Sequence, residues 1–198
     1  MNGGHDAAQS GRRKLLLLAS LFFVPLAAAA WLYFSSGWRP AHGVEHGELI
    51  DPARPLAGFA FTWPDGTTAP IGILRGHWFL VVLVDGKCNR HCAAALDELS
   101  RVRLALDKDM DRVRRVLLHD GRCCGPAGPA ASGPDLLVLG ASGESGAAWR
   151  AQFPRTDGGP GIYLVDPQGN LLMRYRDARD GAGILKDLER LLRLSRIG

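Results

Sequence analysis

Two cysteines four residues apart, Cys88 and Cys92 in GKCNRHC, are the side chains of this chain best suited to do chemistry. On a helix, positions i and i+4 share one face, with Cα atoms roughly 6 Å apart, inside disulfide range. A sulfur at a helix start also lies near unpaired backbone N–H groups and the positive end of the dipole, both of which favour the thiolate. Lys87, Arg90 and His91 add positive potential. Such a pair suits reversible disulfide formation or capture of a soft ion such as Cu(I). The plainer alternative is two packing cysteines. With His91 on the same helical face, Cys88, His91 and Cys92 form a candidate copper-binding set.

Cys123 and Cys124 are adjacent in GRCCGPAGPAASGP, an irregular stretch expected to be an exposed loop. Neighbouring cysteines rarely bridge each other. They are expected to pair with another thiol, bind metal, or do nothing. His119, just upstream, is expected to be solvated, as are His42 and His46, while His77 should begin a strand.

The elements that must position the first pair are legible. HWFLVVLV, residues 77–84, is a nearly unbroken apolar run rich in β-branched residues, the pattern of a strand buried on both faces. Asp85-Gly86 ends it. From Cys92 the apolar positions Leu96, Leu99, Val102 and Leu106 recur at spacings of three and four, which predicts a helix. Strands follow at 113–118, with a short candidate at 136–139, and at 162–165 and 171–175, the last two joined by the turn DPQGN. A short helix is expected at 147–153, and Ile184, Leu185, Leu188, Leu191 and Leu192 mark a closing amphipathic helix. Upstream, 59–63 and 71–74 flank PDGTTAP and read as a hairpin. The order hairpin, β, α, β, variable middle, β-hairpin, α predicts an α/β fold with a mixed sheet flanked by helices. Residues 35–55 show no apolar periodicity and hold three prolines, so they read as a linker.

Residues 15–34, LLLLASLFFVPLAAAAWLYF, carry no charge over twenty positions. At about 1.5 Å per residue they span roughly 30 Å, a bilayer core. Arg12, Arg13 and Lys14 precede them, so the positive-inside rule keeps 1–14 cytoplasmic and sends 35–198 outward, with the domain 56–198 in the periplasm of a bacterium. A cleaved signal peptide with Ala27–Ala30 as its small-residue site is the alternative. Either route leads to an oxidising compartment, where cysteine pairs matter.

Length and composition bound the rest. The 198 residues are 46% hydrophobic, which excludes wholesale disorder, and four cysteines are too few for a disulfide-stapled miniprotein. The net charge of +4 arises in good part from the basic cluster before the apolar run, so it does not point to nucleic acid. GASGESG lacks the lysine of a phosphate-binding loop, and neither HExxH nor GxSxG occurs.

The anchor, PDGTTAP, the strand WFLVVLV, CNRHC opening a helix, and GIYLVDPQGNLLMRY together resemble the thioredoxin superfamily, and within it the Sco/SenC group of membrane-anchored cytochrome c oxidase assembly proteins. HGELIDPARPL resembles leaders of that group. The likeness covers about residues 56–195. It implies a thioredoxin-like fold, a role in assembling the oxidase copper site, and a partner that is an oxidase subunit or a copper chaperone. It also implies a third copper ligand, a histidine, at the place held here by Gly158; no histidine follows His119, so that set is incomplete. Pro160 stands where thioredoxin-like reductases keep a cis-proline beside the active cysteines. Three functions remain open: a thiol–disulfide oxidoreductase acting through Cys88 and Cys92 with Pro160, a Cu(I) carrier using Cys88 and Cys92 with a third ligand from His91, His119 or a partner, and a non-catalytic assembly factor.

Overall fold

The computed structural model describes residues 4–35, 45–56, 58–124, 133–155, 159–177, 179–195 and 197. They fall into two compact units, Met1–Val44 and Glu45–Gly198. The first holds one helix, α1 (Gly4–Ser35), whose segment Arg13–Leu32 is long and apolar enough to cross a membrane.

The second unit is built on six strands: β1 (Glu48–Pro55), β2 (Trp78–Val84), β3 (Val113–His119), β4 (Leu136–Gly140), β5 (Gly161–Val165) and β6 (Asn170–Tyr175). Their order across the sheet is β1-β6-β5-β2-β3-β4. β2, β3 and β4 run parallel, while β5, β6 and β1 add antiparallel neighbours. The sheet is mixed, as expected. Among the described residues three α-helices accompany it, α2 (Arg90–Ala105), α3 (Gly143–Arg150) and α4 (Gly181–Leu194), with a 3-10 helix at Asp107–Arg112.

β2 is central, and its sequence shows why. Trp78, Leu80, Val82 and Val84 pack into one core with Leu96 and Leu99 of α2 and Ile184 and Leu188 of α4. The alternate residues Phe79 and Val81 pack into a second core with Phe61, Trp149 and Phe153. Both faces are therefore covered, and an unbroken apolar run is the consequence of period-two alternation between two apolar environments. Leu96 and Leu99 are both fully buried on the α2 stripe.

Four sequence expectations need correction. Residues 48–55 are not linker but the edge strand β1, paired with β6 through Glu48↔Arg174 and Pro55↔Asn170. It is almost wholly exposed, so burial imposes no apolar alternation, and prolines are tolerated because an edge strand need not donate on both sides. The compact unit consequently starts at Glu45, ahead of residue 56. The hairpin shrinks to an isolated bridge, Thr62↔Thr68, with Ile71 to Leu74 in a turn. α3 starts four residues early, at Gly143, and at Gly146 it presses on the backbone of Ala141, where a Cβ would lie 2.3 Å from the Ala141 carbonyl.

Two polar devices hold the ends of this sheet. Arg115 on β3 is buried and makes a two-pronged ion pair with Asp135, Nε to Oδ2 at 2.7 Å and Nη2 to Oδ1 at 3.0 Å, while Nη1 donates to the Leu96 carbonyl. Burial pushes the Asp135 carboxyl up, but Arg115 and Arg103 overcome it and leave the group below its ordinary value. Buried Asp187 on α4 accepts from the backbone N–H groups of His46 and Gly47, which fastens the start of the unit to its last helix. His46 itself is exposed, 3.7 Å from Asp180; His42 lies outside the described residues.

Candidate functional site

β2 delivers the chain to the first cysteine. Gly86 takes φ +86°, a left-handed turn open to glycine, and redirects the chain out of the sheet. Cys88 then lies just ahead of α2 and Cys92 in its first turn. Asn89 caps the helix: its side-chain oxygen accepts from the N–H groups of His91 (2.9 Å) and Cys92 (3.2 Å). An asparagine ahead of an apolar period is a legible helix-start signal, so Asn89 is a site residue that the sequence could have revealed.

Cys88 and Cys92 are joined in a disulfide, with Cα atoms 5.2 Å apart. The two sulfurs differ in access. Cys92 is 1% exposed and belongs to the core beneath α2, whereas Cys88 is half-buried and packs against that core from outside. Cys88 is therefore the more exposed cysteine of the pair.

A groove of about 850 Å³ opens beside the pair. Asp85, Lys87, His91 and Cys92 form one side, and Arg150, Arg155, Pro160 and Tyr163 the other. Arg150 pairs with Asp85 (3.4 Å) and donates to the Ala141 carbonyl; the Tyr163 hydroxyl donates to the Pro154 carbonyl. With Asp85 engaged, Lys87 and Arg155 leave the groove net positive, which favours a thiolate or an anionic segment of a partner. Arg150, Arg155 and Tyr163 are groove residues that the sequence reading did not single out; nothing local in 147–163 marks them, because only the sheet order brings them opposite Cys92.

Pro160 does reach this groove. The cis peptide bond among the described residues is Asp51–Pro52, so Gly159–Pro160 is not the cis junction that the resemblance implied. His91 is exposed, and Cys88 lies before the helix rather than on it, so the three residues do not share a helical face as expected. Among the described residues no group of three or more His, Cys, Asp or Glu side chains is placed to hold a metal ion.

The remaining residues singled out in the sequence also differ from expectation. His119 is buried rather than solvated. Its Nδ1 accepts from the Gly121 N–H at 3.0 Å, and its Nε2 is buried without a partner. Burial holds its pKa below the ordinary value; Asp120 opposes this and Arg150 adds to it. Cys123 and Cys124 are bonded to each other, contrary to the expectation for neighbours. His77 lies directly before β2, which begins at Trp78 rather than at His77 as expected.

A family model described as the transmembrane-like, thioredoxin-like, C-terminal domain matches residues 78–195. The chain belongs to this thioredoxin-like family. Its fold is shared with solved Sco proteins. Apo Sco1 from Thermus thermophilus superposes with a TM-score of 0.60 at 20% identity, covering 76% of this chain and 99% of that one. Yeast Sco1 with copper bound gives 0.56 at 14%, covering 71% and 89%. BsSco, a Sco-family cytochrome c oxidase assembly protein with an identified disulfide switch, gives 0.53 at 18%, covering 72% and 96%. No curated protein matches the sequence. Among the described residues, Cys88, His91 and Cys92 are not grouped as a three-ligand metal site.

Proposed function

We propose that this is a membrane-anchored thiol–disulfide protein that acts on the cysteine pair of a copper site during cytochrome c oxidase assembly. Residues 1–14 are cytoplasmic, 15–34 form the anchor, and the folded domain works on the outer side, in a bacterial periplasm. The observation that carries this reading is the Cys88–Cys92 disulfide beside a basic groove that Cys92 lines, with Cys92 buried and Cys88 only half-buried.

The chemistry follows from that asymmetry. In the reduced protein the Cys88 thiolate attacks one sulfur of a substrate disulfide, forming a mixed disulfide and releasing the other substrate sulfur as a thiolate. Cys92 then attacks the Cys88 sulfur, closes the Cys88–Cys92 bond and frees the second substrate thiol. Two electrons pass to the substrate. A cysteine pair must be reduced before it can bind Cu(I), so an oxidase subunit or a copper chaperone is a fitting substrate. Lys87 and the start of α2 stabilise the attacking thiolate, and Pro160 and Tyr163 shape the wall against which the partner lies.

A second reading, a Cu(I) carrier, draws support from the close approach of the two cysteines, since two thiolates can hold Cu(I) once the bond is reduced. Replacement of the native gene in its host by a Cys88→Ser/Cys92→Ser version tests both readings. Loss of oxidase activity matching the deletion supports thiol function; full activity overturns both and leaves an assembly factor that uses its surface alone. Stoichiometric Cu(I) on the reduced protein, abolished in Cys88→Ser, decides for the carrier.

A further inference from the structure

The second disulfide sits on the loop next to the first. β2 and β3 are adjacent and parallel, with Val84 in register with His119. Cys88 lies four residues beyond Val84, and Cys123 four residues beyond His119. Both loops therefore leave the same edge of the sheet from neighbouring strands. They are also tied together: the Asp120 carboxyl accepts a backbone hydrogen bond from Gly86, and Arg122, bonded to Asp120, feels the charge of Asp85. The Asp120 side chain is only 4% exposed at this junction.

The two pairs have the same construction. Cys123 is 5% exposed and belongs to the core that also contains Cys92, while Cys124 is half-buried and packs against it, as Cys88 does. Cys124 also holds a positive φ of 53°, a conformation that side chains other than glycine rarely adopt and that tends to persist at functional positions.

We propose that Cys123–Cys124 is a second redox pair that exchanges its disulfide with Cys88–Cys92. The step starts with Cys88 and Cys92 as thiols and Cys123–Cys124 oxidised. The Cys88 thiolate attacks the half-buried Cys124 sulfur, making a Cys88–Cys124 bond and expelling Cys123 as a thiolate. Cys92 attacks the Cys88 sulfur, restores the Cys88–Cys92 bond and expels Cys124. The two thiol protons lost by the first pair end on the second, two electrons move, and no outside oxidant is needed. Fully reduced, the domain then holds two pairs of reducing equivalents and can serve two substrate disulfides per recharge.

This inference rests on the thiol activity proposed for Cys88 and Cys92. Its test uses the full chain in detergent. The Cys92→Ser/Cys123→Ser variant keeps one half-buried cysteine from each pair and is oxidised with stoichiometric diamide, then blocked and mapped by mass spectrometry. A monomer cross-linked Cys88 to Cys124 is expected; free thiols or only intermolecular dimers overturn the exchange. Should that variant fold poorly by circular dichroism, single Cys92→Ser gives the same trap, because Cys88 can attack the intact second disulfide without added oxidant. The expected product is the Cys88–Cys124 link with Cys123 free to alkylation; an untouched Cys123–Cys124 bond beside free Cys88 overturns the exchange. In parallel, Cys123→Ser/Cys124→Ser reports whether Cys88–Cys92 still cycles on its own. Reversible cycling there with no cross-link in the trap sinks only this inference, whereas failure to cycle sinks the proposed function.

Discussion

Replacing Cys88 by serine removes one covalent tie and little else, because the side chain is half-buried and lies outside the helix. The Cys88–Cys92 bond closes a loop of sequence separation 4. Loop-closure entropy for so short a ring amounts to about 2 kcal/mol at 25 °C. Cys92→Ser loses the same tie and also sets a hydroxyl in a position only 1% exposed, which adds about 1–3 kcal/mol. Against a domain stability of about 5–15 kcal/mol, both variants stay folded. A pair that cycles between oxidised and reduced states needs this, since the fold must survive each reduction. For a domain of this size the Cys88→Ser loss corresponds to a fall in Tm of roughly 4–8 °C. Thermal unfolding of the full chain in detergent, followed by near-UV circular dichroism without reductant, measures it. Loss of cooperative unfolding in Cys88→Ser would mean that the bond is a structural staple. Equal losses in the two variants would show that the sulfurs do not differ in burial, and the assignment of Cys88 as the attacking group would fall.

Other outcomes follow from the packing around the site. Asp135→Ala strands the buried Arg115 guanidinium and costs about 3–5 kcal/mol, readable as a lower urea midpoint; a loss below 1 kcal/mol would contradict the ion pair as drawn. His119 holds a depressed pKa, so the unfolded chain takes up its proton first as pH falls. Its contribution is full above about pH 6.5 and declines below it, and His119→Asn, which keeps an acceptor for Gly121, should flatten that decline in urea unfolding, leaving the share of His77. An unchanged pH slope would refute the burial of His119. Gly146→Ala drives a Cβ into the Ala141 backbone and should cost at least about 1–3 kcal/mol by thermal unfolding; a neutral result would place α3 further from β4 than described.

How much was legible in the sequence depended on whether a residue's environment lay in its own neighbourhood. WFLVVLV announced a strand covered on both sides, and the spacing from Cys92 to Leu106 announced α2, because each pattern is a direct image of its burial. The cysteine pair at their junction followed from those two elements. β1 could not be read, since an exposed edge strand of alternating charge and proline leaves no apolar trace. His119 looked solvated because its neighbours Asp120 and Gly121 are polar; the strand that lies beside it, with Gly140 opposite, is far away in the chain. Arg150, Arg155 and Tyr163 meet Cys92 only through the order β5-β2-β3, which local pattern does not encode. The Cys123–Cys124 bond escaped for a different reason, an expectation about neighbouring cysteines that this chain does not obey.

The redox midpoint of Cys88–Cys92, measured in the Cys123→Ser/Cys124→Ser variant by equilibrium with dithiol buffers, bears most directly on the central claim. A reversible two-electron titration with a potential above roughly −300 mV, within reach of cellular dithiols, is expected; a bond that resists reduction to well below that value would mark a structural disulfide and contradict a redox role.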